Sequence, residues 1–238
     1  MTRLSFETSL RSAIVAAAQA LNHGDTSFST FERAYCNERF WIRTPQGGFQ
    51  IRPDVTPAEG ISNIFIEGRK YGFECATAMV IVLYKAVLDS IDENEFNRLF
   101  ANILLYDWHY DSDLRLIEAQ GSKQSVPGDI MYFKNPEVSP LTPEWKGENV
   151  VKLDEDFYFG HGVGIGSSEY VIRTLNSRRW PGSIVSAYLT DQVIHPDFNY
   201  LSRFAYGYNL NADTVPQQIE THERAVMAAV GRRQYIRY

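Results

Sequence analysis

The sequence predicts an α+β domain in which early helices are followed by a run of strands, with one almost wholly apolar helix lying against an antiparallel sheet. Three observations carry this prediction. Apolar residues recur near the 3.6-residue period at the start of the chain, and from about Asn102 onward short β-branched and aromatic runs separated by turn residues take over. Between them, the segment from Ala76 to about Ile91 carries Met79, Val80, Ile81, Val82, Leu83, Val87 and Leu88 on nearly every face, the pattern of a helix wrapped by protein. With 238 residues, 44% hydrophobic and 22% charged, and with no linker-like or repeated stretch, the chain is expected to form one domain over residues 1–238.

Taken in order, Leu4, Phe6, Leu10, Ile14, Ala17 and Leu21 predict an opening amphipathic helix that ends near Gly24. Short strands are expected at Arg39 to Thr44 and Gly48 to Arg52, then a helical turn after the breaks at Pro53, Pro57 and Gly60. The apolar helix follows, then a second over Glu93 to Phe100. Strands are expected at Asn102 to Trp108, Ile130 to Lys134, Asn149 to Leu153, Phe157 to Gly160 and Ile184 to Leu189, with a helix at Ser168 to Asn176 among them. Pro216, after Asp213 and Thr214, predicts a last helix containing Ile219, Val226, Ala229 and Val230.

Composition removes several classes of function. A net charge of −6 argues against nucleic acid, whose backbone calls for clustered Lys and Arg. The apolar helix is interrupted by Lys85 and Asp89, short of the ~20 residues that cross a bilayer, so no membrane partner is expected. The N-terminal segment has scattered charges unlike a signal peptide. Two cysteines, Cys36 and Cys75, are too few for a disulfide framework, and no Cys/His spacing suits zinc. A reducing cytoplasm with both thiols free and no metal is the expectation.

The chemistry centres on Cys75, preceded by Glu74, where a loop runs into the apolar helix. Free N–H groups and the positive end of the helix dipole favour a thiolate there and can later hold an oxyanion. The alternative is an inert, buried cysteine. A cysteine nucleophile needs a base, and two candidates follow on the strands. His161 sits in Phe157-Tyr-Phe-Gly-His-Gly-Val-Gly-Ile165, where glycines allow close approach; a plain turn histidine is the competing reading. Glu148, at the entry to a strand, is useful only if burial raises its pKa toward neutrality, and Trp145 is placed to desolvate it; a solvated surface glutamate is the alternative. His23, His195 and His222 read as surface residues.

Five blocks in sequence order then carry a resemblance: Phe73-Glu-Cys-Ala-Thr-Ala-Met-Val-Ile81, Leu105-Tyr-Asp-Trp-His-Tyr110, Gly128-Asp-Ile-Met-Tyr-Phe-Lys-Asn-Pro-Glu137, Trp145-Lys-Gly-Glu-Asn-Val150 and Tyr158-Phe-Gly-His-Gly-Val-Gly-Ile165. The chain resembles the Bacillus-type spore-coat transglutaminases, the protein-glutamine gamma-glutamyltransferases, from about Ile14 to Leu189. The resemblance implies a papain-like cysteine-enzyme core with no cofactor and no calcium requirement. It implies Cys75 as nucleophile, Glu148 as its acidic partner, His161 as the nearby imidazole, and Glu74 as a partial substitute for Glu148. Phe28, Trp108 and Trp145 would wall the tunnel in which the cysteine sits; the pattern alone reads them as core. It further implies glutamyl-lysine cross-linking through a thioester by a monomer, with Gln- and Lys-bearing protein substrates, spore coat proteins among them. A papain-like amidase or peptidase is the alternative in another enzyme class, and a coat or scaffold protein with an inert Cys75 the alternative outside enzymes. Two departures accompany the resemblance: the family's leading segment of a few tens of residues has no counterpart, and residues beyond about Val193 match nothing in the pattern. Residues 197–238 are therefore expected to be a C-terminal extension packing on the domain.

Overall fold

The computed structural model describes residues 2–206, together with the backbone of two paired strands at 226–230 and 233–237. Helix α1 (Arg3–His23) is capped by Thr2, whose side chain accepts the Ser5 N–H, and buries Phe6, Leu10, Ile14, Ala18 and Leu21 as its periodicity predicts. Strands β1 (Ser27–Phe28), β2 (Trp41–Arg43) and β3 (Phe49–Ile51) come next. Helix α2 (Pro57–Ile66) follows, opened by a reciprocal Thr56–Glu59 cap with Pro57 in its first turn. The two-residue strand β4 (Gly72–Phe73) pairs in parallel with β1 and leads directly into α3 (Cys75–Leu88).

Helix α3 is buried on all sides from Cys75 through Tyr84, so the wrapped helix expected from its composition is present. Helix α4 (Glu93–Leu99) and β5 (Leu104–Leu105) precede the main sheet; β5 completes a small antiparallel sheet in the order β2-β3-β5. The main sheet is built from β6 (Leu116–Gln120), β7 (Ile130–Lys134), β8 (Gly147–Asp154), β9 (Phe157–Gly160), β10 (Gly164–Gly166) and β11 (Tyr188–Pro196). All its pairings are antiparallel, in the order β10-β9-β8-β7-β11-β6. Helix α5 (Ser168–Asn176) follows β10, and α6 (Phe198–Leu201) follows β11. The strands at Val226–Val230 and Arg233–Arg237 are β12 and β13.

Period-two alternation along β8 divides the core in two. Val151 and Leu153 face α1 and α3 in the main core, and Val150 faces the opposite side with Val171 and Leu175 of α5. One buried ion pair ties α1 to the sheet side: Arg11 Nη1 lies 2.8 Å from Asp129 Oδ1, and Arg11 Nε bonds Glu7.

Several expectations are corrected. Strand β11 lies at Tyr188–Pro196 rather than Ile184 to Leu189, which puts His195 on a strand, stacked on Phe198, and not on a surface loop. The strand expected over Asn102 to Trp108 shrinks to Leu104–Leu105, since Tyr106–His109 turns back on itself around Asp107 at φ 49°. Leu116–Gln120 was hidden by its mostly exposed, mixed composition. Val226–Val230, expected in a helix, is a strand; Pro216, Ile219 and His222 lie outside the described residues. Phe198, Leu201 and Ala205, placed by the sequence reading in an extension, are part of the main core.

Candidate active site

The β4–α3 junction sets the thiol at the first residue of a buried helix. Glu74 is the N-cap: one carboxylate oxygen accepts the Ala76 N–H at 2.8 Å and the other lies 3.1 Å from Cys75 Sγ, accepting the thiol proton. From β8, the side-chain amide of Asn149 donates to the same sulfur at 3.5 Å. Cys75 itself is 3% exposed.

This burial reverses the electrostatic expectation. The helix start favours a thiolate, but desolvation, followed by the charges of Glu148 and Glu74, pushes the Cys75 thiol well above its ordinary pKa. At rest Cys75 is therefore a thiol rather than a thiolate. Glu148 is equally buried, its carboxylate accepting the Gly162 N–H at 2.9 Å. Desolvation is the dominant influence on it and pushes its pKa from 4.5 to about 8, with the Gly162 bond opposing and Glu74 adding to the shift. The glycines are needed here: a Cβ at Gly160 would lie 2.7 Å from Glu148 Cγ and 2.8 Å from its Oε1.

The predicted aromatic walls are only partly brought together. Phe28 and Trp145 meet with ring centroids 5.5 Å apart, and Gly162 lies against both of them and against Glu148. Trp108 makes no ring contact with either among the described residues. It packs on the main core in a loop fastened to α3 where Asp107 N–H donates to Thr77 Oγ1 at 3.0 Å.

His161 comes close to the same aromatic group, 6.3 Å from Phe28 between centroids, and its ring is stacked on Phe73 at 4.6 Å. Its Nε2 lies 3.1 Å from the Ser27 carbonyl. Burial lowers its pKa to about 4 against the opposing pull of the Ser27 and Phe73 carbonyls, so the imidazole is neutral and turned to main chain rather than to sulfur. Among the described residues no group of three or more His, Cys, Asp or Glu lies placed to hold a metal, and no helix is long and apolar enough to cross a membrane.

Comparison with known proteins places this geometry in a family. The family model described as protein-glutamine gamma-glutamyltransferase matches residues 1–205. A protein-glutamine gamma-glutamyltransferase from Bacillus cereus (strain B4264) is 45% identical over 232 residues, covering 96% of this chain and 82% of that protein. One from Bacillus mycoides (strain KBAB4) is 46% identical over the same length, with the same coverage. The chain belongs to the protein-glutamine gamma-glutamyltransferase family. A solved transglutaminase from Geobacillus stearothermophilus, without its C-terminal extension, has 49% sequence identity and a TM-score of 0.82, covering 85% of this chain and 97% of that one. The Bacillus alignments run well past residue 205, so the stretch after Val193 has counterparts in the family, contrary to the sequence reading.

Two residues beside the sulfur of this family member escaped the sequence reading. No sequence pattern singles out Asn149 beside Glu148, and only strand parity turns 149 toward α3. Tyr132 lies directly across from Asn149 on β7, and burial, then Cys75 and Glu74, raise its pKa. An alternating strand at 130–134 facing the strand of Glu148 was the signal available for both.

Proposed function

We propose that this chain catalyses glutamyl-lysine cross-linking of proteins by acyl transfer through Cys75. The observation that carries the proposal is the Cys75 thiol at the start of α3, hydrogen-bonded to a carboxylate, with a second buried carboxyl group tuned to about 8 acting on it. Family membership supplies the substrates: a protein glutamine and a protein lysine.

In the first half-reaction the thiol passes its proton to Glu74 as sulfur attacks the glutamine carboxamide carbon. The tetrahedral intermediate breaks its C–N bond, the Glu148 carboxyl proton goes to the departing nitrogen, and ammonia leaves a thioester behind. In the second, a neutral lysine amine attacks the thioester and gives a proton to the Glu148 carboxylate. Sulfur departs and regains its proton from Glu74. Amide and amine become isopeptide and ammonia, with each carboxyl group restored. A carboxyl with pKa about 8 exchanges protons efficiently near neutrality, which is the reason for assigning that task to Glu148. His161 is assigned the support of the Phe73–Cys75 junction, because its nitrogen is engaged by Ser27.

Water competes for the thioester. At neutral pH well under a thousandth of a lysine near pKa 10.4 is neutral, so transfer depends on a dry site. Phe28 and Trp145 around Glu148 serve that need, and Trp108 borders the first turn of α3 through its loop. We place the activity in one domain without calcium or cofactor, acting as a monomer, and in spore coat assembly, on the strength of the resemblance to spore-coat enzymes and of Bacillus relatives. The test is incubation with a glutamine-bearing protein and a labelled primary amine, with Cys75→Ala as control. Label should enter the protein only with intact Cys75; release of glutamate without incorporation would instead establish a hydrolase.

A further inference from the structure

The hydrogen bonds around Cys75 Sγ are divided between one carboxylate and one amide. The thiol proton points to Glu74, so the sulfur presents lone pairs to Asn149, and the NH2 half of that amide faces it at 3.5 Å. Sheet geometry makes this position special. On β8, Val151 and Leu153 are spent on the core that contains α3 while Val150 faces the opposite side, and the same parity puts 149 on the α3 side. Residue 149 is therefore the position of that strand that meets the first turn of α3.

Part of the donor set at this turn is already committed. A helix start ordinarily offers several free N–H groups to an anion. Here the Ala76 N–H is taken by the Glu74 carboxylate and the Ala78 N–H by the Glu74 carbonyl. Burial and two carboxylates oppose negative charge on the sulfur, whereas the Asn149 main chain acts in the opposite direction. A neutral N–H donor from the sheet stabilises the sulfur anion without adding a third acidic group.

We propose that Asn149 is a catalytic residue of the acyl transfer: its Nδ2–H steadies the Cys75 sulfur during attack and then donates to the oxyanion that forms one atom beyond it. No bond is made or broken at Asn149; the proton transfers remain those of Glu74 and Glu148. The role rests on the acyl-transfer reading for its substrate, but the state of the sulfur is measurable without any substrate.

The experiment compares wild type with Asn149→Ala, Asn149→Asp and Asn149→Ser, each shown to be folded by its thermal melt. Two quantities are read: kcat and KM for amine incorporation, and the pH profile of Cys75 alkylation by iodoacetamide. Asn149→Ala is expected to lower kcat about 10²-fold with KM within about threefold, the usual cost of one oxyanion donor. Its alkylation profile should move to higher pH, and that of Asn149→Asp further still, because a new carboxylate faces the thiolate. Asn149→Ser, which keeps a donor, should fall between wild type and the alanine variant in kcat. A folded alanine variant with kcat within threefold of wild type, or with an unmoved alkylation profile, overturns the proposal. If wild type incorporates no amine, the cross-linking reading fails, yet the alkylation profiles still decide Asn149.

Discussion

At Cys75 the favourable field of a helix start is set against burial and two neighbouring carboxylates, and the second influence wins. In the proposed reaction, reactivity then depends on proton transfer during attack, which makes the carboxylates separable by mutation. Glu148→Gln should lower amine incorporation more than Glu74→Gln, because without Glu74 the Glu148 carboxyl, with a pKa of about 8, can still take the thiol proton, whereas without Glu148 no group protonates the departing nitrogen or deprotonates the lysine. Equal losses in initial rate would count against this division of labour. Glu148 also has a signature in stability. Its folded pKa of about 8 lies above the ordinary 4.5, so the folded state holds a proton that the unfolded chain releases. The wild type is at its full relative stability below about 4.5 and loses it progressively as pH rises toward 8. Melting temperatures of Glu148→Gln minus wild type should therefore increase between pH 5 and pH 8; a constant difference would contradict a buried, proton-bearing Glu148.

At the level of elements, the candidate site is assembled where the start of β8, the turn after β9 and the first turn of α3 converge. Close backbone approach permits this. Gly160→Ala puts a methyl against the Glu148 side chain on the buried face of β9, where neither backbone nor carboxylate has room to give. We expect at least tenfold lower amine incorporation with the fold retained by circular dichroism; wild-type rates in Gly160→Ala would show that Glu148 does not need its present position. Helices α1, α3 and α5 were legible because each has a repeating apolar face or, for α3, apolar faces throughout. Strands β1, β4 and β10 were not, since two or three residues leave no periodicity to read, and the β1–β4 pairing joins residues as far apart as Ser27 and Gly72. Yet β1 and β4 carry Phe28 and lead into Cys75, so the least legible elements shape the site most directly.

Across the whole molecule, α1 lies against α3 in the main core and reaches the sheet side through the buried Arg11–Asp129 pair. Removing one partner leaves the other charged and desolvated. Arg11→Ala should destabilise the protein by about 3–5 kcal/mol, read from denaturant melts, while folded protein at low temperature retains its specific activity; a loss under about 1 kcal/mol would show that Asp129 is satisfied by its other neighbours. The sequence by itself determined the mixed helix-and-strand class, the wrapped helix with Cys75 at its head, and, through five ordered blocks, the transglutaminase family. Those properties are local: a period, a composition or a contiguous motif. Tertiary structure alone decided that the Cys75 thiol is held protonated, that His161 turns to the Ser27 carbonyl, that Phe28 and Trp145 meet, and that Asn149 hydrogen-bonds the sulfur. Each depends on burial or on which face of a strand meets which helix, and neither quantity exists until distant segments pack.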